Sequence, residues 1–388
     1  MIQEIRYAFR NLTKNRGFTF VAIITLALAI GASTALFSLI KGAYFEGLPY
    51  PHPRELLTLS AEFAKMGNAE MPISGPEFLA VREQSHSLAS VTALVGSSFN
   101  LTGEGDAVRF RGLRATGSLF EMLRVQPFLG RVFTKEEQRE GSDRVAVISY
   151  RLWQRALGGA PNVIGRQLQL NDVAYTVLGV MPPRFRYGDN DVWIPLSLDL
   201  ARQDRTVRDI YCHARLAPGA TVESVNAELT AITHRLEQDF GGTIPEYAGW
   251  RLKAKPLIDD VLRDVKSALG ILVGAVGCVL LIACANVSNL QLARNVVRER
   301  EMAIRLALGA RRADIIRQLM LESGLLALFG ALAGILLAMW SLGPLLRLIP
   351  FSYIPIEAEV KVDQTVLFAA LGVTLLTVLL SGLSGSTA

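Results

Sequence analysis

Four uncharged apolar runs divide this chain, at residues 18–40, 267–293, 323–346 and 364–388. Each reaches the roughly 20 residues that a helix needs to cross a hydrocarbon core. A charge near the middle of such a run would cost about 2.5–3.5 kcal/mol on insertion, and none is present. The expectation is an α-helical membrane protein with four spans, which accounts for 51% hydrophobic and only 19% charged residues in a 388-residue chain. The first run is longer than the roughly 7–15-residue apolar region of a cleaved signal peptide, so it reads as an anchor that stays in place.

Charge on the flanks sets the expected orientation. Arg6, Arg10, Lys14 and Arg16 precede the first run, and residues 294–322 between the second and third carry Arg294, Arg298, Arg300, Arg305, Arg311, Arg312 and Arg317. By the positive-inside bias both segments are cytoplasmic. The long segment 41–266 and the short loop 347–363 then lie outside. In that loop Arg347 and Lys361 are outnumbered by Glu357, Glu359 and Asp363. Residues 1–17 place Ile2, Ile5, Phe9 and Leu12 at helical spacing beside a basic face, which suits an amphipathic helix on the lipid surface. The formal charge of +5 is a topogenic and lipid-facing effect, so no nucleic acid is expected as a partner.

The external segment has the pattern of a mixed α+β domain in two parts. Strands are expected at 56–63, 91–101, 107–115, 145–149, 166–170, 174–181, 209–216 and 250–257, and helices at 75–84, 150–156 and 221–240. Asn171-Asp172 and Pro218-Gly219 read as turns. The terminal strands and helices can pair into one split α/β subdomain, with the middle strands inserted as a second. Both ends of the external domain continue directly into spans, so displacing the first span against the second pushes on it.

Motifs for chemistry are absent from the sequence: there is no phosphate loop, dinucleotide fingerprint, nucleophile elbow or zinc helix. His52, His86, His213 and His234 lack ligand spacing and read as surface or capping residues. Glu136 and Glu137 form an acidic loop. Asp189, Asn190 and Asp191 resemble the opening of a calcium loop that lacks its glycine and distal glutamate. Cys212, Cys278 and Cys284 imply no disulfide framework. Catalytic, cofactor and metal sites are therefore all expected to be none. Within the spans, Gly270 and Gly274, Gly330 and Gly334, and Gly31 with Ala35 stand at small-xxx-small spacing, which allows helices to pack closely. Two copies are expected to meet through such faces.

Several stretches carry a family resemblance: IRYAFRNLTKNRGFTFVAIITLALAIGASTALFSLI near the start; ATGSLFEMLRVQPFLGRVFTKEE, VAVISYRLWQRALGG, NVIGRQLQLN and YTVLGVMPPRF in the external segment; and LLIACANVSNLQLARNVVREREMAIRLALGARRADIIRQLMLES late in the chain. Nearly the whole chain, in colinear order, resembles an ABC transporter permease of the MacB/FtsX-like family, and within it the duplicated orphan permeases abundant in acidobacteria. The resemblance implies a MacB-like periplasmic core domain at 41–266 and an FtsX-like permease domain at 267–388, in the inner membrane. It also implies a separate ABC ATPase subunit that binds the ATP, a second copy or homologous second half of the permease, and a periplasmic adaptor or envelope protein as a further partner. Arg300, Glu301, Ile304, Arg305, Leu308, Gly309, Arg311 and Arg312 fall in the part of segment 294–322 where that family docks on its ATPase. Members of the duplicated subgroup are about twice as long, so this chain is expected to be one half or a C-terminally truncated copy. The implied activity is export driven by transmitted motion. The alternative is a regulator of a cell-envelope enzyme or a ligand sensor that transports nothing.

Overall fold

The computed structural model describes residues 10, 12–14, 16–40, 48, 50–63, 67, 69–102, 108–139, 141–197, 199–261, 263, 270–283, 285, 286, 289, 312–348 and 372. The chain divides into two units: residues 47–263 with 355–358, and the remainder.

The first unit, residues 47–263, is built on an 11-stranded sheet with the order β11-β1-β10-β3-β4-β9-β6-β8-β5, in which β2 also pairs β1, and β7 pairs β3 and β8. The strands are β1 (Leu56–Phe63), β2 (Ala69–Met71), β3 (Leu88–Thr102), β4 (Val108–Ala115), β5 (Leu129–Gly130), β6 (Val145–Ile148), β7 (Gln167–Leu170), β8 (Val173–Val180), β9 (Val192–Pro195), β10 (Tyr211–Leu216) and β11 (Trp250–Pro256). In chain order, α1 (Arg16–Ile40) precedes this unit. Within it lie α2 (Gly75–Gln84), α3 (Leu119–Leu123), α4 (Tyr150–Ala156), α5 (Val222–Phe240) and α6 (Leu257–Val261).

One half of the sheet follows the split pattern expected from sequence. β1-α2-β3 and β10-α5-β11 are two crossover units whose strands interleave, each antiparallel to its neighbours. Helix α5 is capped by Thr221, whose Oγ1 accepts from Ser224 N at 3.2 Å. Its Val225, Leu229, Ile232 and Leu236 recur at helical spacing and are buried against the sheet with Phe78, Val81 and Leu252.

β3 joins this half to the second. Through Leu94 it pairs with β10, and from Leu94 to Leu101 it pairs with β4. The second half is mixed: β4 runs parallel to β9 and β6 parallel to β8, whereas β6 and β9 are antiparallel. It buries one apolar cluster with α3 around Phe120, Phe133 and Trp193, and another with α4 around Leu152, Val177 and Ile194. The turn between β7 and β8 has both Asn171 (φ 52°) and Asp172 (φ 63°) in the left-handed region, the geometry of a two-residue hairpin.

Sequence reading misses β2, β5, β9, α3 and α6, each of five residues or fewer, too short to show a period. The expected strand 250–257 ends one residue early, because Leu257 begins α6.

The second unit contains α1, α7 (Gly270–Ala283) and α8 (Arg312–Leu348). Two of its helical stretches, Arg16–Ser38 and Gly324–Ser341, are long and apolar enough to cross a membrane. Helix α1 buries Ala22, Leu26 and Ile30 against Leu326 and Ala331 of α8. Phe20, Val21, Ile24 and Leu28 of α1 and Leu332, Leu336, Met339 and Trp340 of α8 remain exposed, as lipid-facing residues should be. The hydroxyls of Thr25, Ser33, Thr34 and Ser38 each donate to the carbonyl four residues back, so no polar group of these side chains is left for the lipid. The expected external loop 347–363 loses its first two residues to α8, which runs to Leu348; the rest of that loop, most of the expected fourth span and most of residues 1–17 lie outside the described residues.

Candidate functional site

The small-residue pairs in the spans prove unequal. Gly31 of α1 and Gly334 of α8 meet backbone to backbone: a Cβ on residue 31 would lie 3.0 Å from Gly334 O and 3.2 Å from Leu337 Cδ2. A Cβ on residue 334 would lie 2.9 Å from Ala27 O, and one on residue 330 would lie 2.6 Å from Leu26 Cβ. Gly31, Gly330 and Gly334 therefore form one interface within the chain, where any larger residue forces the helices apart. Gly270 and Gly274 of α7 have nothing within 4 Å of a notional Cβ among the described residues.

Within segment 294–322, the expected coupling segment before the third span, residues 312–322 lie in the same 37-residue helix as that span. At 1.5 Å per residue this helix is about 55 Å long, well beyond a hydrocarbon core of about 30 Å. Arg300, Glu301, Ile304, Arg305, Leu308, Gly309 and Arg311 lie outside the described residues.

In the external unit, charged residues act as ties. Arg215 of β10 is 2% exposed; its Nε donates to Met122 O at 2.6 Å and its Nη1 to Glu55 Oε2 at 2.8 Å. Burial works to lower its pKa and Glu55 opposes that. Arg151 Nη2 donates to Asp189 Oδ1 at 2.9 Å and Asp191 Oδ2 at 2.6 Å. The hydrogen bonds that Arg151 donates to Asp191 raise its pKa against the cost of burial. The acidic run considered as a calcium loop thus holds an arginine. Burial opposes the charge on Glu62, but Lys253 and Arg251 outweigh it and hold its carboxyl below the usual range.

His213 departs from the expected surface role. It sits on β10 with Nδ1 hydrogen-bonded to the Tyr187 hydroxyl, and burial pushes its pKa down to about 4, partly opposed by Asp260. Cys212 is buried and Cys278 exposed, both as free thiols. Among the described residues no group of three or more His, Cys, Asp or Glu side chains is placed to hold a metal. A cavity of about 590 Å³ opens between α3 and the following loop, floored by Phe120, Val125, Val132 and Phe133 and rimmed by Glu121, Arg124 and Lys135. Its mixed charges and apolar floor can receive an apolar group flanked by polar ones.

Known proteins resemble the chain along both units. The family model for the MacB-like periplasmic core domain matches residues 19–232, and that for the FtsX-like permease C-terminal domain matches residues 273–388. The chain is 24% identical over 359 residues to the macrolide export ATP-binding/permease protein MacB of Chlorobium luteolum, covering 86% of this chain and 51% of that protein. It is 28% identical over 223 residues to the pyoverdine export ATP-binding/permease protein PvdT of Pseudomonas aeruginosa, covering 56% of this chain and 32% of that protein. The chain thus spans about half the length of the MacB relative, and the matched part about a third of the PvdT relative. Among solved structures it is similar to the periplasmic region of MacB from Actinobacillus actinomycetemcomitans, with a TM-score of 0.41 at 12% identity, covering 60% of this chain and 97% of that one.

Proposed function

We propose that this chain, which belongs to the family of permeases joining a MacB-like periplasmic core domain to an FtsX-like permease C-terminal domain, is the membrane subunit of an ABC exporter. In this reading ATP is bound and hydrolysed by a partner subunit, and the permease converts its closure into movement of the external domain.

The observation that carries the reading is the contact of α1 with α8 through Gly31, Gly330 and Gly334. Helix α8 begins at Arg312, in the segment assigned to ATPase docking, and it is closely packed on α1, whose chain continues into the external domain. A push on the start of α8 is therefore passed to α1 through backbone contacts that cannot slip without a clash. The N-terminus and segment 294–322 are then cytoplasmic, the external domain is periplasmic, and a second copy or homologous half completes the assembly.

The test is to replace Arg305 and Leu308 together with Glu and measure recruitment of the ATPase to membranes. Loss of recruitment is expected, and unchanged recruitment would remove the docking assignment. Capture of a cell-wall hydrolase in place of an export adaptor by the external domain would favour the regulatory alternative.

A further inference from the structure

The chain leaves the external unit through α6, a helix of five residues that follows β11 without a break. A helix this short does not hold in water by itself, so its place depends on what it docks against. Its apolar side enters the cluster around Phe120 and Trp193: Leu257 is 4% exposed, and Ile258 and Val261 pack beside it. Leu48 and Tyr50, the first described residues after α1, are buried in the same cluster, and the Tyr50 hydroxyl donates to Arg186 O. The chain that comes from α1 and the chain that goes on to α7 therefore share one footing.

The polar side of α6 closes a ring of charges. Glu70 Oε2 accepts from Lys255 Nζ at 2.5 Å and from Arg263 Nη2. Asp260 Oδ1 accepts from Arg263 Nη2 at 2.5 Å and lies 3.1 Å from Lys255 Nζ. Two bases and two acids alternate, so each charge has two opposite neighbours. Lys255 is on β11 and Glu70 on β2, strands that both pair with β1 at Ala61, one on each side. The ring thus reaches across β1 and takes in Asp260 of α6 and Arg263, two residues beyond that helix. Lys255 and Glu70 are 17% and 22% exposed, so water screens them only in part. An isolated surface pair contributes little, whereas a closed network of partly buried charges holds its geometry.

We propose that this ring is a clasp that fixes segment 257–263 to the sheet, so that movement arriving from the chain beyond Arg263 reaches the external domain without slack. Glu70, Lys255, Asp260 and Arg263 act as positioning residues: the apolar cluster holds the start of the segment, and the ring holds its far end. The part in transmitting movement rests on the export function proposed above; the clasp itself does not.

The clasp is read by maleimide labelling of the full chain in detergent micelles. Cys278→Ser and Cys284→Ser remove two thiols, Leu257→Cys places a buried reporter on α6, and buried Cys212 stays as the reference for unfolding of the whole domain. Glu70→Gln and Arg263→Gln should each speed labelling at residue 257 about tenfold, with Cys212 unchanged. Because both break one ring, the double variant should fall well short of the product of the two effects. Unchanged labelling at residue 257 would overturn the clasp, as would equal acceleration at Cys212 or a double variant that reaches the full product. In complexes that hold the ATPase, labelling at residue 257 should stay slow with and without ATP. A rise with ATP would overturn the part in transmission, because the clasp would then open during the cycle. A chain that recruits no ATPase would count against the export function, while labelling of the chain alone still decides the clasp.

Discussion

Gly31 and Gly334 touch through their backbones, with Gly334 O only 3.0 Å from where a side chain on residue 31 would begin. The contact makes the first span and the long helix α8 one mechanical element, and it leaves neither position able to accept a methyl group without a shift.

Gly31→Ala and Gly334→Ala are therefore expected to destabilise the packed helices by about 1–3 kcal/mol, read as a lower melting temperature in detergent. Gly274→Ala, where no described residue lies within 4 Å of a notional Cβ, should leave melting unchanged or slightly raised, because alanine is the better helix former. If the contact transmits motion, Gly334→Ala should also weaken the link between ATP hydrolysis and export in assembled complexes.

Arg215 joins the two halves of the external sheet to the turn before β1. Arg215→Leu leaves Met122 O without its donor and Glu55 with its longer ion pair to Arg124 at 3.6 Å, and should lower unfolding free energy by about 1–3 kcal/mol in urea titration. Arg215→Lys should recover only part of this, because an ammonium group cannot reproduce the guanidinium fork.

The neutral state of His213 makes the external domain sensitive to acid. Its pKa is lowered from 6.5 to about 4, so between these values the unfolded chain binds a proton that the folded chain does not. Stability contributed by neutral His213 is complete above pH 6.5 and is lost as the pH falls towards 4, by about 1–3 kcal/mol. His213→Gln should flatten that part of the stability profile measured by chemical denaturation.

At the β7–β8 hairpin, Asp172→Gly should raise stability by about 0.5–1 kcal/mol, because glycine takes the left-handed conformation without strain. Asn171→Ala should have the opposite effect. It removes the bond from Asn100 N to the Asn171 side chain at 2.8 Å and the bond from that side chain to Ser98 O at 3.0 Å.

Much of the secondary structure is legible because its causes are local. β1, α2 and α4 coincide with the ranges expected from sequence, as the Ser-Gly-Pro-Glu opening of α2 and the Ser149 cap of α4 are signals within a few residues of the helices they start. The split α/β half follows from the order of strand and helix patterns at both ends of the external segment. β9 is four residues long and buried throughout, so it shows neither alternation nor length, and it is a strand because β4 and β6 supply its partners.

The sequence by itself determined the apolar runs, the basic segment between two of them and most of the external elements, since each depends on residues within a turn or a strand length of one another. Tertiary structure alone decided which glycines are used. Gly31 is separated from Gly334 by most of the chain, and nothing in the spacing of either pair distinguishes Gly330 and Gly334, which meet α1, from Gly270 and Gly274, which meet nothing among the described residues. It likewise turned His213 inward, because burial depends on neighbours that only the folded chain brings near.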